Sequence, residues 1–276
     1  MKALRILQQN INWWNENVEE LVDTLLGKKP HVMLFSEFCY STYYTPNDGR
    51  NVCEVNHKDK IVKRLREEGY DFYWPDSCKD PERPEYLKKC RHGLICTMAI
   101  KKGINFQQIA REDIDLNARY IAGKLTLKGC EPIELLFLHA PQTCNNNREK
   151  EKENMLEQAI CFWNENKDKK TFIGGDFNTD INGNTSCVDI FERLYNAAED
   201  TIKDSFKHEP TWGDKRLDYA LVSESLYKCG CETILIETTS DHKALLTEIK
   251  IDSAMEAVKI HSEDTYGRNR PCTITT

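Results

Sequence analysis

What this chain lacks narrows its possible roles. None of its twelve cysteines stands in a Cys-x-x-Cys pair, and Cys229-x-Cys231 has no second pair beside it. That excludes a four-ligand zinc module, which wants paired spacing. The cysteines scatter from Cys39 to Cys272, several inside apolar runs such as Leu94-Ile95-Cys96-Thr97-Met98. They read as reduced, partly buried thiols of a cytosolic protein rather than as a disulfide framework. No apolar run approaches the ~20 residues of a membrane span, so no membrane partner is expected. Met1-Lys2-Ala3-Leu4-Arg5-Ile6 enters a strand pattern directly, without the h-region or cleavage site of a secretory leader. Broad positive charge is missing too. A net charge of −7 argues against a sequence-independent basic clamp on nucleic acid. An enzyme whose basic groups are local and whose phosphate contacts run through metal is still allowed.

What is present suits one soluble globular domain. Apolar residues make up 39% and charged residues 30% of 276, enough for a sizeable core. There is no low-complexity linker and no internal repeat at a solenoid period. The domain is expected over residues 1–252, with a loosely ordered C-terminal tail at 253–276 where the apolar pattern fades.

Periodicity predicts strands at about 4–11, 31–37, 70–74, 93–100, 120–127 and 135–139, then at 171–173, 217–222, 233–237 and 244–251. Helices are expected over 15–27, 57–68 and 188–198, with a long one that follows a loop begun at Asn145-Asn146-Asn147 and runs to about 166. Asn15 or Asn17 would cap the first, and Met155, Leu156, Ala159, Ile160 and Trp163 would form the core face of the long one. Strands and helices alternate early, as in α/β units.

The stretch Thr171-Phe172-Ile173-Gly174-Gly175-Asp176-Phe177-Asn178 stands out. A buried strand tightens through two glycines and delivers a carboxylate and a carboxamide. In an extended segment Asp176 and Asn178 would project to the same side, one able to hold a water and the other a phosphate oxygen. Elsewhere, too, strands finish on polar groups: Asn10, Glu37, His139, Asp218 and Asp241-His242. Each alone has a bland explanation as a turn residue, cap or satisfied core histidine. Together they suggest strand ends that meet at a ligand site.

Asn10 in Gln-Gln-Asn-Ile-Asn, Glu37 in Leu-Phe-Ser-Glu-Phe, Gly175-Asp176-Phe177-Asn178, Arg216-Leu217-Asp218-Tyr219 and Ser240-Asp241-His242 stand in a telling order. In that order the chain resembles the endonuclease/exonuclease/phosphatase superfamily, whose fold is that of pancreatic-type deoxyribonuclease. The resemblance implies an α+β fold, a four-layer α/β/β/α sandwich of two mixed β-sheets flanked by helices. It implies hydrolysis of phosphodiesters assisted by Mg²⁺ or Mn²⁺. Glu37 and Asn10 would hold the metal, with Asp241 contributing. Asp176 would activate water, Asn178 would donate to phosphate, and His242 would act over the phosphate with Asp218 on its other nitrogen.

His139 in Leu-His-Ala-Pro resembles the histidine of deoxyribonuclease-like and sphingomyelinase-like members; the abasic-site repair branch has Tyr there. The pancreatic enzyme supports this histidine with a glutamate that has no clear counterpart near Arg91-His92-Gly93. Arg119 and the cluster Lys88-Lys89-Arg91-His92 read as solvated surface, with phosphate contact as the alternative. Trp13-Trp14 and Tyr43-Tyr44 could stack on bases, or divide between core and rim. The expected activity is a cytoplasmic nuclease, most simply an endonuclease, with nucleic acid (DNA or RNA) as partner. The alternatives are a phosphatase or phospholipase-type enzyme on small or lipid phosphates, and a non-catalytic binding member.

Overall fold

The computed structural model describes residues 3–13, 15–39, 42–44, 53–75, 95–110, 118–143, 145–183, 185–207 and 209–251. The expected tail, Trp14, the Lys88-Lys89-Arg91-His92 cluster and the side chains of Tyr43 and Tyr44 lie outside what is described.

Strand β1 (Ala3–Asn10) runs through helix α1 (Val18–Gly27) into β2 (Val32–Phe38). An antiparallel pair, β3 (Thr42–Tyr44) and β4 (Cys53–Val55), precedes a π-helical turn at Lys58–Lys63 and α2 (Arg64–Glu67). Then come β5 (Tyr70–Tyr73), β6 (Ile95–Lys101), β7 (Asn105–Gln108), β8 (Tyr120–Thr126) and β9 (Ile133–His139). Helix α3 (Asn146–Asn166) leads to β10 (Thr171–Asp176) and α4 (Val188–Tyr195). They are followed by β11 (Glu199–Asp200), a 3-10 turn at Asp204–Phe206, β12 (Asp218–Val222), α5 (Glu224–Tyr227), β13 (Cys231–Ile236) and β14 (Ala244–Lys250).

The strands form two six-stranded sheets, β13-β14-β1-β2-β6-β5 and β11-β12-β10-β9-β8-β7. Both are mixed: β1 and β2 pair in parallel, as do β9 and β10, and the other neighbours are antiparallel. Alternation sorts each strand's side chains into two layers. Leu4, Ile6, Val32, Leu34 and Met98 of the first sheet pack on Ile121, Leu135, Phe137, Phe172 and Val222 of the second. Leu7, Met33 and Phe35 instead face Val18, Leu21, Leu25, Ile61 and Leu65 on the helical side. Ile173, Leu136, Leu138 and Leu221 face Met155, Ala159, Trp163 and Phe191 on the other flank. The result is a helix/sheet/sheet/helix sandwich.

Local signals account for the helices. The Asn145 side chain accepts from the backbone amides of Asn147 and Arg148 at 3.1 and 3.0 Å, closing the N-terminus of α3. The five core-face residues read from its periodicity are all buried. At α1 the boundary differs from expectation. Asn17 precedes the first turn without a side-chain cap, while Asn15 Oδ1 accepts from the Asn17 amide at 2.8 Å. The helix expected at 57–68 begins as a π-helical turn, yet buries Ile61, Val62 and Leu65 as its pattern required. No described helix is long and apolar enough to cross a membrane.

Topology corrects one reading. Asp218 begins β12, and His242 precedes β14; neither ends a strand. Because β12 runs antiparallel to β10 and β14 antiparallel to β1, these beginnings lie on the rim where β1, β2, β9 and β10 finish.

Candidate active site

The rim is tightest at the exit of β10. Gly175 has φ +136°, and a Cβ there would overlap the Leu138 carbonyl of the parallel neighbour β9, so only glycine fits. The next residue, Asp176, is in register with His139 on one side and Asp218 on the other. It is 1% exposed. Its Oδ2 accepts from Asn10 Nδ2 at 3.0 Å and its Oδ1 from the Asn178 amide at 2.8 Å. The i, i+2 projection expected of an extended segment does not apply. The strand stops at Asp176, and Asn178 turns into the left-handed region with φ +49°. Asparagine tolerates that conformation better than most residues. Asn178 Nδ2 donates to the Ala140 carbonyl at 2.8 Å, which uses one of its two amide hydrogens.

The first sheet supplies Asn10 and Glu37. The register of β2 against β6 shifts between Phe35 and Phe38, and within that bulge Glu37 has φ +52°. A left-handed non-glycine residue costs roughly 1–2 kcal/mol, so surrounding structure must hold it there. Its Oε1 lies 3.7 Å from His139 Nε2, which is also 3.8 Å from Asp176 Oδ2. Burial pushes the Glu37 carboxyl up, the Asn10 hydrogen bond and the His242 charge pull it back, and Asp241 adds to the rise.

Two histidines serve this rim in opposite states. His242 Nδ1 is 2.8 Å from Asp218 Oδ2. Burial alone would lower its pKa, but the Asp218 carboxylate and its hydrogen bond win and raise it to about 10. His139 Nδ1 is 3.2 Å from Arg119 Nη1. A guanidinium only donates, so Nδ1 accepts and the imidazole proton sits on Nε2, towards Glu37 and Asp176. Burial, then Arg119 and His242, hold His139 well below 6.5. Asp176 is raised to about 7, by burial first and Asp218 second, against the pull of His242.

Arg119 is 4% exposed, so the solvated-surface reading fails. The pairing of β8 with β9 tucks it behind His139, where the sequence offered no partner. Trp212 is a residue that sequence reasoning passed over. Its Nε1 donates to Asp241 Oδ2 at 3.1 Å, and its ring centre lies 6.2 Å from that of His242. Asp241 itself is exposed. Beside Asn178 opens a cavity of about 360 Å³ whose lining includes Thr143, Lys152, Ser186, Trp212 and Lys215 and, among the described residues, no carboxylate.

Among the described residues, the three-residue group with metal-ligand atoms within 4.8 Å is Asp176, Asp218 and His242. The sequence put metal on Asn10, Glu37 and Asp241 instead. Within the three-residue group, His242 Nδ1 and Asp218 Oδ2 are already engaged with each other at 2.8 Å. Glu37 and Asp176 are both pushed up by burial and by neighbouring carboxylates, the mark of anions short of a cation. Their oxygens, with the Asn10 amide beside them, fit a hard divalent ion.

No curated protein sequence matches this one, but solved structures do. The endonuclease domain of TRAS1, a telomere-specific non-LTR retrotransposon, superposes with TM-score 0.61 at 14% identity, covering 90% of this chain and 98% of that one. An AP endonuclease from Archaeoglobus fulgidus gives 0.60 at 15% identity over 90% and 100%. TDP2 of D. rerio in complex with a single-strand DNA product gives 0.58 at 14% over 90% and 99%. At such identities the likeness establishes a shared fold. The sequence itself matches the model of the endonuclease/exonuclease/phosphatase family over residues 7–242, which include every rim residue described above. With that match and this sandwich, the chain belongs to the endonuclease/exonuclease/phosphatase family.

Proposed function

We propose that the protein is a divalent-metal-dependent phosphodiesterase that cleaves DNA or RNA, most simply as an endonuclease. The observation that carries this reading is the meeting of Asn10 and Glu37 from one sheet with His139, Asp176, Asp218 and His242 on one rim. Glu37 and Asn10 would hold Mg²⁺ or Mn²⁺, with Asp241 nearby; the bound ion would polarise a phosphoryl oxygen and stabilise the charge gained in displacement. Asp176, buried at the exit of β10 with Asn10 on one oxygen and the Asn178 amide on the other, accepts the proton of the attacking water. Asn178 donates its remaining amide hydrogen to a phosphate oxygen. His242, held cationic by Asp218, faces the phosphate, and His139 offers its Nε2 proton as a neutral donor.

Nucleic acid is favoured by the neighbouring cavity, where Lys215 and the Trp212 ring suit a phosphate and a base. The net charge of −7 favours a second reading, hydrolysis of small or lipid phosphates. A cytoplasmic location is in keeping with Cys96, Cys130, Cys161, Cys187, Cys229 and Cys231 standing outside any disulfide.

The test is a gel assay of wild type and Asp176→Ala on plasmid, linear duplex, single-stranded DNA and RNA, each with Mg²⁺, Mn²⁺ or EDTA. Metal-dependent cutting that the variant loses supports the nuclease, and nicked plasmid makes it an endonuclease. Survival of every nucleic acid overturns it, and hydrolysis of small phosphates or phospholipids would then carry the second reading.

A further inference from the structure

Helix α3 contains a run, Glu149-Lys150-Glu151-Lys152-Glu153, that looks like a solvated face. Lys152 departs from it: it is 1% exposed, whereas lysines are seldom fully buried unless paired. Among the described residues it forms no salt bridge. Its ammonium instead donates to the Asn178 carbonyl at 2.6 Å, the Ser186 carbonyl at 3.1 Å and Ser186 Oγ at 3.2 Å. Those three contacts match the three hydrogens of an ammonium. They tie together both ends of the segment that leaves β10 and re-enters the helical layer at α4.

Asn178 is thus pinned at three points: its amide on Asp176 Oδ1, its side chain on the Ala140 carbonyl, and its own carbonyl on Lys152. A left-handed asparagine at φ +49° needs such pinning to stay in one conformation. The ammonium also carries a charge on which Asp176 and Glu149 act without a salt bridge forming among the described residues.

We propose that Lys152 is a positioning residue for phosphoryl chemistry: it holds the Asn178 carbonyl, and through it the angle at which the Asn178 amide meets the reacting phosphate. This rests on the phosphodiesterase reading. Small displacements of such donors can cost on the order of 10²-fold in rate, because the transition state needs their geometry more than the ground state does. The effect should therefore fall on kcat rather than KM.

The experiment uses the full chain and four proteins: wild type, Lys152→Met, Asn178→Ala and the double variant. Each is assayed with Mn²⁺ and Mg²⁺ on bis(p-nitrophenyl) phosphate, which asks for phosphodiester chemistry without nucleic-acid recognition, and on a DNA oligonucleotide. Lys152→Met is expected to lower kcat by ~10- to 100-fold with KM within about 3-fold. In the Asn178→Ala background the same change should cost less than about 3-fold, since its target is gone. Equal losses in both backgrounds, a loss confined to KM, or wild-type turnover in Lys152→Met would each overturn the proposal. If Lys152→Met does not fold, Lys152→Gln keeps a donor for the carbonyl and is judged by the same pair of backgrounds. A wild type that hydrolyses the aryl diester but no nucleic acid defeats the nuclease reading and leaves the Lys152 comparison decisive. A wild type inert on both defeats the two together.

Discussion

His139 and His242 stand on the same rim, both buried, and yet their pKa values are pushed in opposite directions. Desolvation is the largest single influence on each and lowers both. For His242 the partner on Nδ1 overturns burial: a carboxylate 2.8 Å away raises its pKa. For His139 burial itself holds the pKa down, and a guanidinium 3.2 Å away adds to it. Only the carboxylate reverses the sign that burial sets. The site thereby obtains a fixed positive charge and a neutral donor from the same residue type.

The largest expected effect removes what both histidines share. Asp176 lies 3.8 Å from His139 Nε2 and is electrostatically coupled to His242 and Asp218. Asp176→Ala, like Glu37→Ala and His242→Ala, should abolish turnover while leaving the far-ultraviolet circular dichroism spectrum unchanged. Full activity of any of them with EDTA present would defeat the mechanism.

Next is Asp218→Asn, which swaps the carboxylate for a neutral amide. We expect kcat to fall by ~10³-fold or more, by analogy with other orienting carboxylates. The His242 titration should also move from about 10 back towards 6.5, as read by NMR. Stability gives an independent check. The folded protein holds this proton more tightly than the unfolded chain, so the pair's stabilisation is fully present below pH 6.5 and is lost as pH rises through about 10. Wild type should lose more melting temperature than Asp218→Asn across that window.

Arg119→Met tests the other half and should cost less, ~10-fold in kcat. With Nδ1 released, His139 should titrate part of the way back towards 6.5, burial holding the rest. Here the sign reverses. A histidine kept neutral by the fold loses stability as pH falls below 6.5, because the unfolded chain takes the proton first. That acid sensitivity should be shallower in the variant. The smallest effect belongs to Trp212→Phe, which removes the donor to Asp241 Oδ2. A change within about 3-fold is expected, in the metal concentration needed for half-maximal rate. A larger change would mean that Asp241 matters more to the ion than its exposure suggests.

The contrast between the two histidines also shows what a sequence can and cannot reveal. Asp176, Asn178, Glu37 and His139 were conspicuous because polar groups interrupt apolar runs there, and apolar runs have no local reason to end that way. The strands themselves were legible for the same reason, apart from edges such as β7, where Phe106 is the one buried residue of four. Strand direction was not legible. Whether Asp218 begins or ends its strand depends on its neighbour's course, which no local pattern encodes. Arg119 and Lys152 were hidden for a related reason. Each sits in a locally polar stretch, and only cross-strand pairing or helix rotation against the sheet turns it inward. Partners far apart in sequence leave no spacing to read.

The hydrogen bond from Asn10 to Asp176 joins the two sheets, as does the approach of Glu37 to His139. Catalytic competence is thereby made a gauge of how one sheet sits on the other. A slip of an ångström in the shared apolar layer, whether from pressure or from trimming Leu34 or Phe172, would leave both sheets intact and their ladders paired. It would still pull the two halves of the rim apart. On the phosphodiesterase reading, turnover should register such a slip before any spectroscopic sign of unfolding, a sensitive report on the protein's interior packing.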